Sequence, residues 1–186
     1  KWVHLVGGNV ATAADNGGSI LLQNGILGAF HCQWRNNTAV SGGAVYVGKF
    51  ASTTFRKSAF HANVADFGGA VTLDGGVNNF YGTVFHKNKV VQEGSGVFAQ
   101  GLSISIFTQA MFTNNSKLPG SADQYHAGAV VFVASADAQC TFRESGFVHN
   151  NCPANVFSNV TDEANNIDNI IAVNTASPGV DFLHFV

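Results

Sequence analysis

A chain of 186 residues with a formal net charge of −2 carries no basic footprint for nucleic acid and no charged field to steer an acidic partner. Hydrophobic residues make up 46 % and charged ones 11 %, so the interior is rich and the surface neutral, yet no apolar run is long enough to span a membrane. The length fits a single domain over residues 1–186.

In chain order, the first recurring unit is a large apolar residue followed three positions later by Asn. It appears as Val6/Asn9, Trp34/Asn37, Phe60/Asn63, Phe85/Asn88, Phe112/Asn115, Phe147/Asn150 and Ile171/Asn174. The steps between the apolar members are 28, 26, 25, 27, 35 and 24 residues. A second unit falls between them: NGGSILL at 16–22, SGGAVYV at 41–47, FGGAVTL at 67–73, GSGVFA at 94–99 and AGAVVF at 127–132. Its apolar residues alternate at period two, in Val45/Val47, Val71/Leu73, Val97/Ala99 and Val130/Phe132, which predicts short strands with one buried face. The single long step is assigned to an insertion, SKLPGSADQYH at 116–126.

A repeat of about 25 residues, built from short strands with no helical period, is one supersecondary unit that buries its apolar face only by stacking on copies of itself. The predicted fold is all-β: a right-handed parallel β-helix of about seven coils, its hand following the general preference of parallel crossovers. The columns of the alignment say which way side chains point. Phe55, Phe80, Phe107 and Phe142 form a bulky inward column, and Cys32, Ser58, Thr83, Ala110 and Ser145 a small one. Arg35, His61, His86 and Thr113 read as outward. Glycines before the valines suit a sharp corner. The recurring Asn suits a left-handed corner and a stacked amide ladder of Asn9, Asn37, Asn63, Asn88, Asn115, Asn150 and Asn174.

The paired signatures resemble those of the chlamydial polymorphic outer-membrane proteins and related β-helical surface proteins. They stand here as GGAV at 42–45 and 68–71, and as Phe-x-x-Asn at Phe60, Phe85, Phe112 and Phe147. The resemblance implies a surface-exposed, passenger-like module used for adhesion or structure. Trp34, Val6 and Ile171 depart from it by replacing Phe, and the glycine pair degrades in the later coils.

Sequons at Asn36, Asn114 and Asn159 predict covalent N-glycans and a secreted or cell-surface location. Asn36 and Asn114 each precede a ladder Asn, in a column that should face solvent. Cys140 and Cys152 bracket one coil and are the candidate disulfide, whereas Cys32 falls in the small inward column. His61 and His86 should stack on the outer face, but that column supplies no further ligand, so no metal and no cofactor are expected. The eight Asp and three Glu are scattered; Asp66, Asp74 and Glu93 come closest to a cluster but fall in different columns, so no catalytic residue is assigned. An enzyme acting on polysaccharides, a lyase or hydrolase, is the weakest alternative, since only the fold suggests it.

The ends carry the main functional expectation. KWVHLVGG begins inside the first coil, as in a mature or truncated segment, and VDFLHFV closes the chain as an alternating strand. Neither is a polar cap, so the expected partner is a second copy, stacked head to tail into a fibre or surface layer through Trp2, Leu5, Phe182 and Phe185. The alternative is an adhesin or carbohydrate-binding module that meets surface glycans through the loop 116–126.

Overall fold

The computed structural model describes residues 3–8, 16–119, 130–152, 156–158, 167–168 and 171–173. Every regular element among them is a strand, and every strand pairing is parallel. The chain is a parallel β-helix, as the repeat predicts.

Three sheets run along the stack. The first has seven strands, from Val3–Val6 through Cys32–Arg35, Ala59–His61, Val84–His86, Met111–Thr113 and Gly146–Val148 to Ile171–Val173. The second has four: Thr38–Ser41, Val64–Phe67, Lys89–Glu93 and Ser116–Lys117. The third has ten, among which the long strands Ile20–Phe30 and Val45–Arg56 serve two sides of a coil at once. Among the described residues, four coils therefore carry a strand in all three sheets, against the seven turns expected. Among the described residues, the seven anchors mark the seven strands of the first sheet, not turns with a strand in all three.

Stacking in register places like on like. One inward column is Trp34, Phe60, Phe85, Phe112 and Phe147, whose neighbouring ring centroids lie 4.7, 5.1, 4.6 and 4.7 Å apart and nearly parallel. The column predicted from Phe55, Phe80, Phe107 and Phe142 stacks beside it at 5.2, 4.7 and 4.8 Å. The two columns meet edge to face, as in Phe55 against Phe60. These spacings equal the distance between neighbouring strands, so hydrogen bonding and ring stacking demand the same rise. Each buried ring contributes on the order of 1.5–3 kcal/mol through burial, with about 0.5–1.5 kcal/mol more per ring pair.

The asparagine ladder is present with five members. Nδ2 of Asn37 donates to Oδ1 of Asn63 at 2.9 Å, and the same bond links Asn63 to Asn88, Asn88 to Asn115 and Asn115 to Asn150 at 3.0 Å. Each acceptor oxygen also takes the backbone N–H of the preceding coil's Asn, as in Asn63 to Asn88 at 3.0 Å. The second amide hydrogen goes to a carbonyl one coil back, from Asn88 to Phe60 at 3.0 Å. These five amides are fully buried.

Three readings of register are corrected. In the first coil, Leu5 rather than Val6 lies opposite Trp34, and the N–H of Gly8 donates to Asn37 Oδ1, so Gly8 holds the place assigned to Asn9. At the far end Ala172 pairs with Phe147, where Ile171 was expected. Asn9 and Asn174 themselves lie outside the described residues. In the fifth glycine-valine copy Val131, not Val130, lies opposite Val97, and Phe132 stacks on Phe98.

The corners are also assigned differently. The ladder Asn does not adopt the left-handed conformation; the residue before it does, at Asn36, Ala62, Lys87, Asn114 and His149. The left-handed residue turns the chain so that the next side chain points inward, where the amide enters the ladder. A second left-handed corner runs through His31, Lys57, Gly82, Gln109 and Glu144. The glycine pair does meet a close approach: a Cβ on Gly43 would collide with the carbonyl oxygen of Gly69 and lie 2.7 Å from that of Val64.

Candidate functional site

Four positions before each aromatic anchor stands an outward column: Phe30, Arg56, Tyr81, Thr108 and Arg143, paired strand to strand. The residue after each one is the left-handed corner just described. Period two turns the column outward because Phe55 and Phe80, one residue earlier, point into the core. Phe30 and Tyr81 therefore expose 57 % and 37 % of their surface, while the Arg56 guanidinium lies over the Tyr81 ring, 4.8 Å from its centroid. A groove of about 340 Å³ opens here, lined by Phe30, His31, Arg56, Lys57, Tyr81, Gly82 and Gln109. At its far end Gln109 Nε2 donates to Glu144 Oε2 at 2.8 Å.

A second, wider groove of about 700 Å³ lies at the bend between the two sides of the long strands, with Leu21, Tyr46, Lys49, Phe50 and Asp74 among its walls. There the Tyr46 hydroxyl donates to Asp74 Oδ2 at 3.2 Å. Burial, then the Asp74 charge, push that phenol up to about 12. Asp74 is thus engaged with a tyrosine, while Glu93 pairs in the second sheet with Phe67, next to Asp66. The three carboxylates were expected in different columns, and their pairings are different.

The sequon residues Asn36 and Asn114 are exposed and left-handed, at φ 54° each, on the corner between the first and second sheets. Their neighbours Asn37 and Asn115 are buried in the ladder. Asn159 lies outside the described residues, as do Trp2, Phe182 and Phe185. Leu5 lies in the outermost strand of the first sheet.

No disulfide joins Cys140 and Cys152; both are buried thiols. The cysteines occupy different parts of the coil. Cys140 pairs in register with Ser105, whereas Cys152 Sγ sits 3.2 Å from Ser95 Oγ. Burial pushes both thiols up to about 12. Cys32 is half-buried beside the core and its Sγ reaches the Phe30 carbonyl at 3.4 Å.

His61 and His86 are neighbours in register, their ring centroids 5.0 Å apart and their planes tilted by 30°, and His86 Nδ1 meets Thr113 Oγ1 at 2.7 Å. Desolvation lowers the pKa of both, and neighbouring positive charge lowers it further. Among the described residues, no group of three or more His, Cys, Asp or Glu side chains could hold a metal. The insertion begins later than expected, because Ser116 and Lys117 pair with Lys89 and Val90 as a strand of the second sheet. Residues 120–126 of it lie outside the described residues.

Sequence reasoning passed over Phe30, Arg56 and Tyr81. Their signal was available as the column four before each anchor, but its mixed chemistry resembles an ordinary solvated face. No family model, curated protein or solved structure matches the chain.

Proposed function

We propose that the chain is an extracellular structural β-helix that extends by head-to-tail stacking of copies and carries N-glycans at Asn36 and Asn114. One observation carries the reading. Val3–Val6 and Ile171–Val173 are the outermost strands of the seven-stranded sheet, each with a neighbour on one side only among the described residues. An unpaired parallel edge is a template for another strand, and edges at opposite ends of one stack make a contact that repeats without closing. The unbroken amide and aromatic ladders support it, because they give a rigid unit whose rise per coil a second copy can continue. The exposure of both sequon corners supports the glycans.

The resemblance of the repeat motifs to those of the chlamydial polymorphic outer-membrane proteins favours a surface location for such a module. The test is electron microscopy of native material over a range of concentrations, before and after glycosidase treatment. Fibres are expected, and Asn36→Gln and Asn114→Gln should each remove one glycan-sized mass step. Dispersed particles at every concentration would overturn the assembly reading.

A second reading, an adhesive module, is favoured by the outer face of the third sheet. There Ile26, Val77 and Ile104 form one exposed column, and Phe30 and Tyr81 belong to another. In this reading the groove of Phe30, Arg56 and Tyr81 takes the recognition role first given to the loop 116–126.

A further inference from the structure

We propose that the groove of Phe30, Arg56 and Tyr81 binds an acidic polysaccharide, with the two rings stacking on sugar faces and Arg56 and Lys57 pairing with carboxylate or sulfate groups. The proposal deepens the adhesive reading and rests on it.

Shape comes first. A groove of about 340 Å³ is concave enough to cover a short stretch of a chain. Phe30 and Tyr81 stand two coils apart in one column, with Arg56 between them. Rings at a spacing of about 10 Å, two strand separations, suit alternate rings of an extended saccharide, with the Tyr81 face that Arg56 leaves uncovered available to it. Rings of this kind give a large apolar contact at low entropic cost.

Charge then selects among saccharides. The lining includes Arg56 and Lys57 and no acidic residue, although the whole chain has a net charge of −2. The Tyr81 ring holds the Arg56 guanidinium in place, so its planar fork is oriented before the ligand arrives. Glu144 takes the Nε2 hydrogen of Gln109, which leaves the amide oxygen as an acceptor for a sugar hydroxyl. The sequons Asn36 and Asn114 lie on a different corner, so glycans there leave the groove open.

A single-stranded nucleic acid would also use rings and cations, but its affinity grows with the number of phosphates neutralised. Two lining cations, Arg56 and Lys57, on a net-negative protein provide little of that.

The experiment measures binding of the full glycosylated chain to polygalacturonate, dextran sulfate, neutral dextran and an oligothymidylate. The acidic polysaccharides are expected to bind, with Arg56→Ala, Lys57→Ala and Tyr81→Ala each weakening them by about tenfold or more. Tyr81→Phe should retain binding, and Lys49→Ala in the other groove should leave it unchanged. Thermal melting establishes that each variant is folded. Binding that ignores the groove variants overturns this site while the adhesive reading stands. Equal binding of neutral dextran or of the oligonucleotide overturns the ligand class. No binding to any of the four probes overturns the proposal, and a further absence of binding to whole cells overturns the adhesive reading with it.

Discussion

The side-chain amide of Asn63 donates to Oδ1 of Asn88 at 3.0 Å, and neither residue is reached by solvent. Asn88 in turn donates to Asn115 and to the Phe60 carbonyl. Asn88→Asp keeps the acceptor facing Asn63 but sets a buried negative oxygen against two acceptors. Removing one partner of such a network costs about 3–5 kcal/mol when a charge is left unpaired. A large loss of thermal stability is expected at neutral pH, partly recovered on acidification as the carboxyl protonates. An unchanged melting temperature would remove the ladder from the list of what holds the coils.

The aromatic columns predict an asymmetry. Phe85→Ala opens a cavity between rings stacked above and below it and should cost about 3–5 kcal/mol in denaturant unfolding. Trp34→Phe should cost far less. The Trp34 indole Nε1 is buried without a hydrogen-bond partner, so the substitution removes an unsatisfied donor as well as volume.

Two glycines separate steric from conformational cost. Gly7 has φ +72° with open space around a hypothetical Cβ, whereas Gly43 would drive a Cβ into the Gly69 carbonyl. Gly7→Ala should cost about 1–2 kcal/mol, the usual price of the left-handed region. Gly43→Ala should prevent the neighbouring coils from closing and abolish cooperative unfolding. Equal effects would show that contact between coils at the glycine corner is unimportant.

Much of this was legible in the sequence because each coil repeats the same demands. The inward columns and the central ladder follow from period and residue size alone. Register failed where those signals lost phase. VHLVGGN offers both Leu5/Gly8 and Val6/Asn9, and the pairing of Leu5 with Trp34 together with the hydrogen bond from Gly8 to Asn37 selects the first. Val130 to Val133 is apolar throughout, and all four are buried, with Phe132 stacked on Phe98, so alternation could not reveal a one-residue slip. The groove stayed hidden because Phe30, Arg56 and Tyr81 share a direction and not a chemistry.

Protonation should weaken the fold through the histidine pair. Both His61 and His86 have folded pKa values lowered from the ordinary 6.5, by desolvation first. The unfolded chain therefore binds protons more readily. The stabilising contribution is complete above the unfolded value and is lost as pH falls through it toward the folded ones. His86→Gln should flatten the decline in melting temperature below pH ~6.5. A decline identical to that of the unaltered chain would assign the acid sensitivity elsewhere.

Thiol chemistry distinguishes the three cysteines. Cys140 and Cys152, buried and pushed up to about 12, should resist alkylation in the folded chain, while half-buried Cys32 reacts. Mass spectrometry after alkylation without reductant should find one modified cysteine in the native state and three in denaturant. A missing pair in denaturant would restore the disulfide.

The proposed end-to-end extension of the β-helix can be read by fibre diffraction and electron microscopy of concentrated native protein. Fibres should give a strand repeat of about 4.8 Å along the axis, with the coil rise continuing across the joints between copies. Monomeric rods at every concentration, with their terminal strands protected from hydrogen exchange, would contradict it.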